Sequence, residues 1–433
     1  MKLTLQKPPP FLLAAALVVG AGACHRTGAP AQPAPASSSG SASGTAKTVA
    51  ASVAMQAGSG SAAMTAKPIE PEALRGDARP QPLPPAAPCL ENGGQDPGLP
   101  DLLEQAGRDF EKGRYENALE CAREASRVDG QSVAAHHFRG AALTELGHLD
   151  EARTAYARAL ALDPDDPEVL RSVADLHVRR LGGRDDLELA LQYVHRAIPR
   201  ALRAKDKVLQ KELFLLQSMA LDDLGRPAEA LSASSRAVEL DPRDREARRE
   251  KGVALFELCH FDQARLELEK LASEDSDAWA EHYLGLIAER SEDDVAAATH
   301  FARAQKLDPD AFKPTMQAPK SAFSKIVQEE VDKLPPEIRA GLSRSQFAVE
   351  DLPEVGDLVA TDPPLSPGIL GLFRPPPEGS PDAAKPAILL YRRNLSRAAH
   401  NDEELHREVR DTLMHEVGHL NGEDDEQLRD RGL

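Results

Sequence analysis

Between residues 101 and 310 one pattern of small, aromatic and helix-ending residues keeps returning. A chain with such an internal period folds as a row of like units, each burying its apolar face on its neighbours, not around a single core. The clearest unit reads Gly140, Gly147, Leu149, Ala152, Tyr156, Ala159, Pro164. Gly113, Tyr115, Ala118, Ala122 and Ala125 precede it at the same offsets; Gly225, Ala230, Ala237 and Pro242 repeat it. Gly252, Phe261 and Ala264 form a further copy, and Gly285, Ala297, Phe301, Ala304 and Pro309 another. A looser copy lies around Ala174, Ala190 and Ala197, with an insertion at Leu181-Gly182-Gly183. The step from Ala118 to Ala152, and again from Ala230 to Ala264, is 34 residues. Small residues at fixed places let two helices approach closely, and proline ends each unit because it cannot continue a helix. Aromatic residues make up only 4% of the chain, which suits close-packed helices better than sheets.

A helix-turn-helix period of this length resembles the tetratricopeptide repeat. The resemblance implies an α-solenoid of about six repeats whose groove takes a protein or peptide as an extended segment or a helix. Arg243, Arg245, Arg248, Arg249 and Arg265 form a local basic cluster, read as a solvated face. The formal net charge of -18 excludes a broad nucleic-acid-binding surface.

Lys2 and Lys7 precede an apolar run from Phe11 to Val19, too short to span a bilayer and shaped like an export signal. Ala21-Gly22-Ala23-Cys24 then resembles the lipobox of bacterial lipoproteins. That resemblance implies lipidation of Cys24, anchoring in a membrane by more than one acyl chain, and a place on the periplasmic side of the outer membrane or the cell surface. Residues 1–24 are thus expected as a signal peptide, and residues 25–100, rich in Ala, Ser, Gly and Pro, as a tether without a core. The remaining cysteines, Cys89, Cys121 and Cys259, show no paired spacing. Cys121 and Cys259 read as small buried helix residues and Cys89 as a free thiol, with no disulfide framework.

After Asp310 the repeat stops, and residues 311–433 form a separate expected domain. Phe323 to Leu334 is amphipathic and helical; Phe347 to Leu352 and Ala387 to Arg392 read as strands on either side of a Pro/Gly-rich stretch, Pro353 to Pro386. Asn394 to His400 reads as helix, and a longer helix follows, capped by Asn401 with Glu404 three residues on. Leu405, Val409, Leu413, Val417 and Leu420 give it an apolar face. Near its end stand His415-Glu416-Val417-Gly418-His419. Residues four apart share one helix face, so His415 and His419 can offer two imidazoles to one zinc ion, with Glu416 placed to take a proton from water. A third ligand follows the turn at Gly422: Asp425 at the spacing HxxGxxD, with Asp424 and Glu423 as alternatives.

From about Ala322 onward the order of these pieces resembles a family of bacterial minimal zincin-like metallopeptidases. The residues that carry it are Phe347-Ala348-Val349-Glu350-Asp351, Gly371-Leu372-Phe373, Leu389 to Leu395 and the terminal motif with Leu428 behind it. Leu420-Asn421 depart from the His and aromatic residue usual there, a change in the cleft. The resemblance implies a compact α+β domain, His415, His419 and Asp425 as zinc ligands, and Glu416 as catalytic base. It also implies a substrate lying along an edge strand, for which Ala387 to Arg392 is the candidate. His400 and His406 are candidate oxyanion donors, and Asp411 a candidate support for His415. The reading that follows is an exported zinc metallopeptidase with a substrate-recruiting solenoid. Its rival is a scaffold lipoprotein that acts through its repeats and ends in an inactive zincin-like domain.

Overall fold

The computed structural model describes Cys89, residues 97–375, 385–424 and 427–428, and Arg431. All lie within one compact unit of the chain, Ser59–Leu433. Cys24, most of the expected tether and Asp425 fall outside the described residues. Among the described residues no helix is long and apolar enough to cross a membrane.

Six helix pairs come first: α1 (Leu99–Glu111) with α2 (Tyr115–Val128), α3 (Val133–Glu145) with α4 (Leu149–Leu162), and α5 (Pro167–Leu176) with α6 (Arg184–Ala204). Then follow α7 (Lys207–Asp223) with α8 (Pro227–Leu240), α9 (Arg245–Glu257) with α10 (Phe261–Asp275), and α11 (Ala278–Arg290) with α12 (Asp294–Leu307). The turn inside a pair needs one left-handed residue, supplied by Gly113, Gly147 and Gly225 at φ 69, 79 and 73°. Beyond it the chain closes back on the helix, His148 N–H to Leu143 O at 2.9 Å and Arg226 N–H to Leu221 O at 2.8 Å. Cys259 and Glu292 hold the same place in the last two pairs, at φ 60 and 58°. Cys259 is therefore a half-buried turn residue and not the buried helix residue expected.

The recurring small residues sit where the helices touch. A Cβ on Gly140, Gly252 or Gly285 would stand 2.6–2.7 Å from Tyr156, Leu268 or Phe301 respectively. Ala152, Ala159, Ala230, Ala237, Ala264 and Ala304 are fully buried. In the third pair the insertion is absorbed by one π-helical turn, His177–Leu181, ended by Gly182 at φ 66°. The arginine cluster is not an open basic face: Arg248 meets Glu274 at 3.0 Å and Arg249 meets Asp277 at 3.2 Å.

A disulfide joins Cys89 to Cys121, contrary to the free thiol expected. The two lie 32 residues apart in sequence, and only the packing of Cys89 beside Leu99 and Leu103 on the first pair brings them together.

The second region begins with α13 (Lys320–Lys333) and α14 (Pro336–Arg344), followed by β1 (Gln346–Glu350) and α15 (Val355–Leu358). β2 (Gly371–Arg374), β3 (Ala387–Tyr391), α16 (Arg392–Ala398) and α17 (Asp402–Leu420) complete it. The strand order is β1-β3-β2, with β1 parallel and β2 antiparallel to β3. β2 lies inside the Pro/Gly-rich stretch Pro353 to Pro386, where no strand was expected. β3 is central, so it cannot accept a substrate strand as expected: both its edges are already paired. Strands alternate their side chains. Ile388 and Leu390 face Leu405, Val409, Leu413 and Val417 of α17, while Leu389 and Tyr391 join Leu358, Ile369 and Leu372 on the other face.

That other face is covered by the solenoid. Cys259 packs into it, and Arg290 donates to Pro353 O and Pro367 O at 3.1 Å each while stacking on Phe261 at 4.9 Å. Arg393 pairs with Asp294 at 2.7 Å and Arg397 pairs with Glu289. Phe312, on the connection, stacks on His282 at 4.9 Å and meets Trp279 at 5.0 Å. The last two helix pairs and the sheet domain thus share a packed, hydrogen-bonded interface.

Candidate active site

α17 starts where the sequence places it. Asn401 accepts the Glu404 N–H at 2.9 Å, and Glu404 accepts the His400 N–H at 2.8 Å. The apolar stripe from Leu405 to Val417 is fully buried and fixes the rotation of the helix. That rotation sets His415 and Glu416 at the protein interior, 4% and 1% exposed, and brings His419 over His415 one turn on.

The two imidazoles meet edge to face, ring centres 4.7 Å apart, with Nε2 to Nε2 at 3.1 Å. Nitrogens this close need a positive centre between them, a proton or a metal ion. Two nitrogen ligands about 2.05 Å from a tetrahedral zinc stand about 3.3 Å apart, so the donor pair fits that ion. The tautomer fits as well. His419 Nδ1 donates to Glu423 O at 3.0 Å; a carbonyl only accepts, so Nδ1 carries the hydrogen and Nε2 keeps its lone pair. Gly422 makes this possible at φ 87°, turning the chain so that Glu423 N–H returns to Gly418 O at 3.0 Å.

Among the described residues no group of three or more His, Cys, Asp or Glu side chains could hold a metal ion, and Asp425 lies outside them. The two alternatives are engaged elsewhere. The Glu423 carboxylate pairs with Arg431 at 2.7 Å, and Asp424 caps the next turn through Gln427 N–H at 2.9 Å. Leu428, fully buried, packs against Gly418 and holds this tail to the helix.

Three further candidates do not reach the site. His406 bonds Glu330 at 2.7 Å, and His400 bonds Pro314 O at 3.2 Å. Asp411 is partly exposed and stands 3.7 Å from Arg410. What the sequence reading missed is the partner on the other side of Glu416. Thr412, fully buried, and Gly371 of β2 enclose its side chain, and the GLF tripeptide was the available signal.

A second set of ionisable groups lies between α7, α9 and the sheet domain. Burial raises the Glu250 carboxyl to about 7, and raises Asp222 and Glu257 as well, against the lowering effect of Ser366 on Glu257.

Comparison with known proteins agrees with both halves. Within the helix pairs, residues 109–176 and 223–289 match the tetratricopeptide repeat family model. The sheet domain is zincin-like: residues 342–433 match the Zincin-like metallopeptidase family. A curated relative, Protein CTR9 homolog of Arabidopsis thaliana, is 40% identical over 73 residues, 17% of this chain. The chain spans only 7% of that protein. Among solved structures, PilF of Pseudomonas aeruginosa is 19% identical, with a TM-score of 0.42 over 49% of this chain and 92% of its own. PilW, described as a type IV pilus biogenesis factor, is 17% identical, with a TM-score of 0.43 over 50% of this chain and 96% of its own.

Proposed function

We propose that the chain is an exported, lipid-anchored zinc metallopeptidase whose repeats bind a protein substrate or partner. The observation that supports it most is the convergence of His415 and His419 beside the buried Glu416, on a helix in a zincin-like domain. His415, His419 and Asp425 would hold the zinc, which when bound supplies a Lewis acid for a scissile carbonyl and acidifies water. Glu416 takes the water proton on its carboxylate and passes it to the leaving amine. Its burial keeps bulk water from competing for that proton. Among the described residues β2 is an edge strand beside Glu416, so an extended substrate can add to it by main-chain hydrogen bonds.

The export reading proposes residues 1–24 as signal peptide, Cys24 as lipid anchor and residues 25–100 as tether, with the folded part at the outer membrane or cell surface. The Cys89–Cys121 disulfide supports it, because such bonds persist in oxidising compartments. The packed interface with α9 to α12 supports repeats that deliver substrate to a fixed peptidase domain over repeats that only space it from a membrane.

The test is Glu416→Gln in the full chain. It should retain zinc and fold while losing peptide hydrolysis. If parent and variant cleave casein and mixed fluorogenic peptides alike, the enzyme reading fails and the scaffold reading replaces it.

A further inference from the structure

Glycine inside a strand weakens it, and often marks a place where another group comes close. At Gly371 that group is the proposed base. A Cβ built there would stand 2.7 Å from Thr412 Cγ2, 2.9 Å from Glu416 Oε1 and 3.0 Å from Glu416 Cγ. Real Cβ atoms do not approach so near, so a methyl group at residue 371 forces something to move. Gly371 does not have the left-handed backbone that strains other residues, so alanine there would be opposed by contact alone.

The two neighbours differ in stiffness. Thr412 is β-branched on a helix, fully buried, and its hydroxyl donates to Glu408 O at 2.7 Å. Turning it would break that bond in the interior. Gly371 itself is held by pairing opposite Leu390 in the sheet. Glu416 ends in a carboxylate on rotatable bonds, so at its own contacts with the added methyl group it yields before β2 does. We propose that Gly371 is a positioning residue for Glu416: by presenting only hydrogen, β2 fixes where the carboxylate stands. The role in turnover rests on the peptidase reading above; the placement of the carboxylate does not.

The test compares the full chain with Gly371→Ala, the double variant Gly371→Ala/Thr412→Ser, and Glu416→Gln. Readouts are crystal structures, zinc content and turnover of a fluorogenic peptide that the parent cleaves. In the double variant, where the Thr412 methyl contact is gone, the Glu416 carboxylate should move by about 1 Å with β2 in place; in Gly371→Ala zinc should stay bound and kcat should fall about tenfold to a hundredfold with KM little changed. Thr412→Ser removes the methyl group in contact and should not restore kcat. An unmoved carboxylate, or recovery on relieving Thr412 alone, would overturn the proposal. If the parent cleaves nothing, the peptidase reading fails separately, and the position of the carboxylate still decides the role of Gly371.

Discussion

Replacing Cys89 with serine should loosen the first helix pair and leave the far end of the molecule intact. The disulfide closes a span of 32 residues. In the chain-entropy description a loop of that length contributes about 3.7 kcal/mol at 25 °C by restricting the unfolded chain. Cys89 also packs beside Leu99 and Leu103 over buried Leu102, Ala125 and Ala135, so its loss uncovers the terminal repeat. Repeat arrays unfold from weak ends, because each unit touches only its neighbours. The effect should therefore fall on α1 and α2. Amide exchange followed by mass spectrometry should show protection there falling by up to about 3 kcal/mol, roughly a hundredfold, with α11 and α12 unchanged. Reductant added to the parent should reproduce the pattern and expose two new thiols. Equal exchange in oxidised, reduced and substituted protein, or no gain of free thiols on reduction, would rule this out.

Glu250 should make stability depend on pH. Its carboxyl titrates near 7 when folded and near 4.5 ordinarily, so the folded state holds a proton that the unfolded state has released between those values. Folding is therefore disfavoured by this group as pH rises through that window, and is unaffected by it below about 4.5. Glu250→Gln should raise the melting temperature at pH 8, by on the order of 1–3 kcal/mol in stability, and change little near pH 4.5; equal shifts at both would contradict the assignment. Gly418→Ala should disturb the tail, since its Cβ would lie 2.3 Å from Leu428 Cδ2 and 3.0 Å from the Glu423 carboxylate. The expected cost is about 1–3 kcal/mol with weaker zinc retention, and Leu428→Ala in the same chain should recover part of it; unchanged stability and retention would show that Leu428 does not hold the tail.

The repeats and the metal motif were legible because both are local patterns. Ala152 or Ala264 is buried for the same reason in each copy, and the spacing of His415 and His419 is a property of any helix. The turn position was legible too: Cys259 falls 34 residues after Gly225 and takes its conformation, although it was read as helix. β2 was hidden because Gly371 and the surrounding prolines carry no strand pattern of their own. It becomes a strand only by pairing with β3, a partner chosen by tertiary structure. The same order made β3 central and displaced the expected substrate edge. Cys89 and Cys121 lacked any spacing signal, and their meeting depends on how the first pair is capped. His406 carried a residue type suited to catalysis but sits more than two turns before His415, held by Glu330.

The proposed function stands or falls on zinc at α17. The most direct measurement is the zinc content of the purified full chain against its His419→Ala variant, with circular dichroism to show that both are folded. About one zinc per chain is expected in the parent and its loss in the variant, which lacks one of the three proposed protein ligands. A folded parent that retains no zinc when supplied with it, or a variant that retains it equally, would rule out a zinc site on α17.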